Sequence, residues 1–169
     1  MTSLRILFFL LFFLSAASRA EEHQTWCTRS ERELFSCTFS NHKVASLCAT
    51  SDWSRSSGGL QYRFGKPESR QPEMIYPKAA NSAANFRALS SDTLGRKENT
   101  RSVWLSFKVG KYRYVIQDDE RDGTHRQVIK VAPDDKPEQT LICNKNTSLL
   151  SQQSEKILYL LGEDAFDER

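Results

Sequence analysis

Along most of the chain, apolar and polar residues alternate with a period of two, in short runs separated by Gly, Pro, Ser and Asn. Strands that bury one face and wet the other produce this pattern. Phe35, Cys37 and Phe39 alternate with Leu34, Ser36 and Thr38, and an apolar run over residues 44–49 follows the polar Ser40-Asn41-His42-Lys43. A hairpin with His42 and Lys43 at its tip sets Asn41 opposite Val44 and Cys37 opposite Cys48, and puts Phe35, Phe39 and Val44 on the face of both cysteines. Another strand is predicted where Leu60, Tyr62 and Phe64 alternate with Gln61 and Arg63, and a short one over residues 73–76, stopped by Pro77. Residues 78–101 carry the weakest pattern, with Phe86 and Leu89 as anchors for a strand over 86–93.

The strongest alternation sets Leu105, Phe107 and Val109 against Trp104, Ser106 and Lys108. After Gly110 it sets Tyr112, Tyr114 and Ile116 against Lys111, Arg113 and Val115. This predicts a hairpin with one apolar and one largely polar face. Strands over 125–131 and 139–143 follow a turn that ends at Gly123. The period then changes: Leu150, Ser154, Ile157, Leu158 and Leu161 fall at helical spacing, between Thr147 or Ser148 as cap and Gly162 as stop. A helix over about 148–161 is expected, its apolar stripe packed on a sheet. Eight or nine short strands with one C-terminal helix predict a mainly β fold, an antiparallel sandwich or small barrel.

Residues 1–20 read as a signal peptide. Arg5 gives a positive start, residues 6–14 an unbroken apolar run, and Ser18-Arg19-Ala20 a small-x-small cleavage site. The run is shorter than the ~20 residues of a spanning helix. Cleavage after Ala20 leaves residues 21–169 as a single disulfide-stabilised domain, exported to the periplasm or secreted, with no later segment apolar enough for stable membrane insertion. Losing Arg5 and Arg19 leaves 22 basic residues against 21 acidic ones. So small an excess argues against a nucleic-acid partner.

Cys27, Cys37, Cys48 and Cys143 all lie in this exported part. An even count in an oxidising compartment points to disulfides. The predicted hairpin favours Cys37–Cys48 with Cys27–Cys143, and Cys27–Cys37 with Cys48–Cys143 is the main rival. No C-x-x-C occurs and His23, His42 and His125 stand in no ligand spacing with the cysteines, so no metal ligand is expected.

No G-x-S-x-G, H-E-x-x-H, P-loop or G-x-G-x-x-G is present, and neither catalytic residue nor cofactor is expected. Asp118-Asp119-Glu120-Arg121-Asp122 lacks the alternating spacing of a calcium loop and reads as a solvated turn, with His125 after it. The feature with chemical promise is a surface. Trp104, Lys108, Lys111 and Arg113 share the outward side of the strong hairpin, and Arg63 stands between Tyr62 and Phe64. Trp, Tyr and Arg give large contact area and planar hydrogen bonding, which suits a binding face.

The segments Leu34-Phe35-Ser36-Cys37, Lys43-Val44-Ala45-Ser46-Leu47-Cys48, Leu60-Gln61-Tyr62-Arg63-Phe64-Gly65, Glu73-Met74-Ile75-Tyr76-Pro77, the hairpin over residues 107–115 and Leu141-Ile142-Cys143 together resemble a group of small exported proteobacterial proteins with four cysteines. The resemblance covers nearly all of residues 21–169. It implies a periplasmic or secreted location and a disulfide framework, and it transfers no activity. The chain departs from the pattern at Arg96-Lys97-Glu98-Asn99-Thr100, where a Gly-rich segment is expected. The sequon Asn146-Thr147-Ser148 has meaning only on a eukaryotic secretory route, against which the resemblance argues.

The expected function is therefore a non-enzymatic binding module for an envelope or extracellular protein. The alternatives are an envelope hydrolase using residues such as Asp118, His125 and Ser57, and a structural envelope component.

Overall fold

The computed structural model describes residues 24–54, 56–79, 86–94, 99–134, 136–148, 150, 152 and 154–161. The signal-peptide expectation over 1–20, and Gly162 as helix stop, lie outside these residues. Ten strands and one helix occur among them: β1 (Glu31–Thr38), β2 (Val44–Thr50), β3 (Leu60–Gly65), β4 (Met74–Tyr76), β5 (Arg87–Leu94), β6 (Asn99–Val109), β7 (Tyr112–Arg121), β8 (Thr124–Pro133), β9 (Gln139–Ile142), β10 (Lys145–Ser148) and α1 (Ser154–Leu161). They form two antiparallel sheets, β10-β1-β2-β3-β4 and β5-β6-β7-β8-β9. Each is a meander, except that the chain returns from β9 to lay β10 along β1. Neither sheet closes on itself, and both bury residues in one core, so the fold is a sandwich.

The alternation dictates which face turns inward. Phe35, Leu47 and Leu60 from the first sheet meet Leu105, Ile116 and Ile129 from the second, all without exposure. Phe107 ties the layers: its ring lies 5.0 Å from Tyr62 and 5.2 Å from Tyr76 across the sandwich, and stacks on its cross-strand partner Tyr114 at 5.0 Å. Leu150 and the α1 residue Ile157 complete the core, with α1 lying against β5.

Four expectations need correcting. First, the β1–β2 connection runs through residues 39–43, closed by Phe39 N donating to Lys43 O and His42 N to Phe39 O. Thr38 pairs with Val44, and Cys37 therefore faces Ala45, not Cys48. A register displaced by an odd number of residues swaps faces. Cys37 joins the core, while Cys48 shares the outer face with its row partner Gln61. A bulge at Leu34 lets Leu34 and Phe35 both be buried in the core.

Second, neither expected cysteine pairing forms. The disulfides are Cys27–Cys48 and Cys37–Cys143. With Cys37 and Cys48 on opposite faces of one sheet, each needs a partner from its own side. Third, the acidic run is not a solvated turn. Residues 118–121 continue β7, Asp118 is fully buried, and the turn is Asp122-Gly123 with φ of 47° and 78°. Two consecutive positive φ values match the twist of the flanking strands, which is why Asp-Gly suits this loop. Fourth, Thr147 and Ser148 do not cap a helix. They pair with Ser36 and Phe35 in β10, and α1 begins at Ser154.

Candidate functional site

The register of the second sheet assembles a continuous outer face. One row across all five strands reads Leu89, Trp104, Gln117, Val128 and Ile142. The next reads Arg87, Ser106, Val115, Lys130 and Thr140. Val115 and Val128 are buried yet stand outside the core cluster, as expected of residues beneath larger neighbours on the outer face. Ile142 is 59 % exposed. Apolar groups thus form a band, with Trp104 half-buried within it.

Charged residues lie on both sides of the band. Toward the β6–β7 turn, Lys108 and Arg113 are cross-strand partners and line a hollow of about 390 Å³ with Asp134, Lys136 and Glu138. Lys108 Nζ lies 3.1 Å from Asp134 Oδ1 and Lys130 Nζ 3.6 Å from Glu138 Oε1. These pairs are solvated and hold the side chains weakly. Lys111 occupies the turn, its Nζ 5.9 Å from the centre of the Tyr112 ring. Toward the β7–β8 turn, a second hollow of about 630 Å³ is lined by Ser102, Gln117, Asp119, Arg121, Thr124 and Arg126, among others. Gln117 Nε2 donates to Asp119 Oδ1 at 3.1 Å and Oδ2 at 2.8 Å.

No protein-family model, curated protein or solved structure matches the chain.

Of the residues singled out in the sequence, Trp104, Lys108 and Arg113 come together on this face, with Lys111 at its margin. Arg63 does not join them. It lies on the outer face of the other sheet, beneath the N-terminal segment. That segment is held by Ser36 Oγ donating to Gln24 O, by Trp26 N donating to Ser46 Oγ, and by Cys27–Cys48. Arg63 donates to both Glu31 oxygens at 2.7 Å, to Trp26 O at 2.8 Å and to Gln61 Oε1. Burial pushes the Glu31 carboxyl up. Hydrogen bonds from Arg63 and Thr28, with the Arg63 charge, outweigh it, and Glu31 titrates below its ordinary value. Arg63 is a fastening of the fold.

The hydrolase residues are only partly assembled. His125 Nδ1 lies 4.0 Å from Asp118 Oδ1, beyond hydrogen-bond reach, and Asp118 instead accepts from Gln127 Nε2 at 3.1 Å. Ser57 belongs to the β2–β3 loop of the other sheet, where its hydroxyl donates to Asp52 O. Local periodicity does not bring Gln117, Asp119 and Arg126 together, because the acidic run before Gly123 has the composition of a turn. The signal that finds them is the Asp122-Gly123 pair: pairing outward from it sets Asp119 opposite Arg126 and Gln117 opposite Val128.

Proposed function

We propose that this protein is an exported, non-enzymatic binding module, periplasmic or secreted, that engages an envelope or extracellular protein through the outer face of its β5–β9 sheet. The carrying observation is the row Leu89-Trp104-Gln117-Val128-Ile142, apolar except for Gln117 at its middle, with Trp104 half-buried on β6 and the Lys108–Arg113 pair beside it. An aromatic anchor in an apolar centre with a charged rim is the usual anatomy of a recognition surface. Two disulfides suit an oxidising compartment, and no helix among the described residues is long and apolar enough to cross a membrane. The resemblance to small exported proteobacterial proteins supports the same location.

The experiment is a pull-down from an envelope extract with the oxidised full chain as bait, beside the variants Trp104→Ala and Lys108→Glu/Arg113→Glu and a reduced, alkylated control. A single partner kept by the oxidised chain and lost by both variants is expected. Equal retention by the variants removes this face from the reading, and hydrolytic turnover that persists in purified protein removes the non-enzymatic assignment.

A further inference from the structure

The hollow at the β7–β8 turn is built unlike an anchor site for a protein side chain. The residues lining it carry hydroxyl, carboxamide, carboxylate or guanidinium ends on aliphatic stems, so polar groups are spaced over an otherwise apolar surface. Its charged members, Arg121, Arg126, Asp119 and Asp122, cancel one another. An apolar side chain seated there would strip water from groups it cannot pair. A strongly charged ligand would meet as much repulsion as attraction.

Asp119 and Arg126 give the hollow its chemical character. They are cross-strand partners on one face. The Asp119 carboxylate is oriented by both hydrogen bonds from Gln117 Nε2, and the exposed Arg126 stands opposite it in the ladder. A fixed double acceptor thus stands beside a guanidinium able to donate twice. Neighbouring hydroxyl groups, each able to give one hydrogen bond and take others, complement such a pair. Trp104 stands on the same face, two residues along β6 from Ser102 and so about 7 Å away. An indole offers a broad apolar surface of the kind on which the C–H side of a sugar ring packs.

We infer that this hollow binds a neutral carbohydrate, with Asp119 and Arg126 bonding adjacent hydroxyls and Trp104 beneath the ring. The inference rests on the reading of this face as a recognition surface and adds a ligand class to it.

The test is calorimetric titration of the oxidised full chain with maltohexaose, cellohexaose, chitohexaose and mannohexaose, with oligogalacturonate and inorganic phosphate as charged probes. At least one neutral sugar is expected to bind, with affinity reduced about tenfold or more in each of Asp119→Asn and Arg126→Gln. Glu73→Gln, in the loop before β4 of the other sheet, is expected to leave that affinity unchanged. Binding of none of the four neutral sugars, undiminished binding in both site variants, or tighter binding of the charged probes overturns the inference. A protein partner retained in the pull-down while no sugar binds sinks the carbohydrate site alone. Loss of both sinks the recognition surface itself.

Discussion

Cys37, on the core face of β1, is bonded to Cys143 at the point where the chain crosses from one sheet to the other. Cys143 N donates to Gln127 O of β8, and the next residue, Asn144, donates to Thr38 O of β1. The disulfide therefore clasps the two layers at their shared crossing, across a separation of 106 residues. Cys27–Cys48 spans only 21 residues and fastens a terminal segment to one sheet. On chain entropy, the longer loop stabilises by about 1.4 kcal/mol more than the shorter. Cys37→Ala/Cys143→Ala is expected to lower the urea midpoint further than Cys27→Ala/Cys48→Ala, and equal midpoints would contradict the clasp.

Phe107 is the aromatic hub of the interlayer core, within 5.2 Å of Tyr62, Tyr76, Phe86 and Tyr114 measured between ring centres. Phe107→Ala should destabilise by roughly 3–5 kcal/mol. Urea unfolding checks this, and a loss below about 1 kcal/mol would mean that the rings do not pack as described.

Arg63 and Glu31 each have side chains 12 % exposed. Removing one partner strands the other, so Arg63→Met should destabilise by roughly 2–4 kcal/mol. Because Glu31 titrates below its ordinary value in the fold, it binds fewer protons there than in the unfolded chain. Its stabilising contribution is complete above the unfolded carboxyl value and disappears as pH falls through the lower folded value. Glu31→Gln should flatten the acid limb of the stability profile below about pH 4.5, and an unchanged limb would refute the assignment. Arg63→Met should leave partner retention intact, which separates this fastening from the proposed recognition face.

Two glycines with positive φ should respond differently to alanine. At Gly123, φ +78°, a Cβ meets nothing within 4 Å, so Gly123→Ala carries only the backbone penalty of about 1–2 kcal/mol. At Gly58, φ +68°, a Cβ would sit 2.3 Å from Thr50 Oγ1 and 2.7 Å from Trp53 Cα. Gly58→Ala adds a clash with backbone and should destabilise by roughly 2–4 kcal/mol. Thermal melts of the two variants should rank in that order, and the reverse ranking would count against the loop geometry.

On the proposed recognition face, Trp104→Ala should weaken partner binding by about 2 kcal/mol, chiefly through faster dissociation. Lys108→Glu/Arg113→Glu should act on the association rate and its salt dependence. Surface plasmon resonance at two ionic strengths distinguishes these outcomes. Identical effects on the two rate constants would show that anchor and rim are not separate.

What the sequence determined by itself was everything carried by local periodicity. The alternation around Leu105, Phe107 and Ile116 predicts β6 and β7 and their buried face, and the spacing of Ser154, Ile157, Leu158 and Leu161 predicts a helix that packs on the core, whereas Leu150, expected in the same helix, lies before it. Trp104, Lys108 and Arg113 fall together because neighbours in one tight hairpin have a register set by the turn. Tertiary structure decided the rest, wherever a partner comes from far along the chain. The five-residue β1–β2 loop leaves no mark on the alternation, yet it sets Cys37 and Cys48 on opposite faces and so selects the pairing. The four polar residues of β10 become a strand because the edge of β1 is open to them. Asp118 is buried because β7 runs on to the Asp122-Gly123 turn and Gln127 waits on β8 to receive its carboxylate. Periodicity reports which residues share a face, but the register between strands depends on bulges, loop lengths and distant contacts that it does not encode.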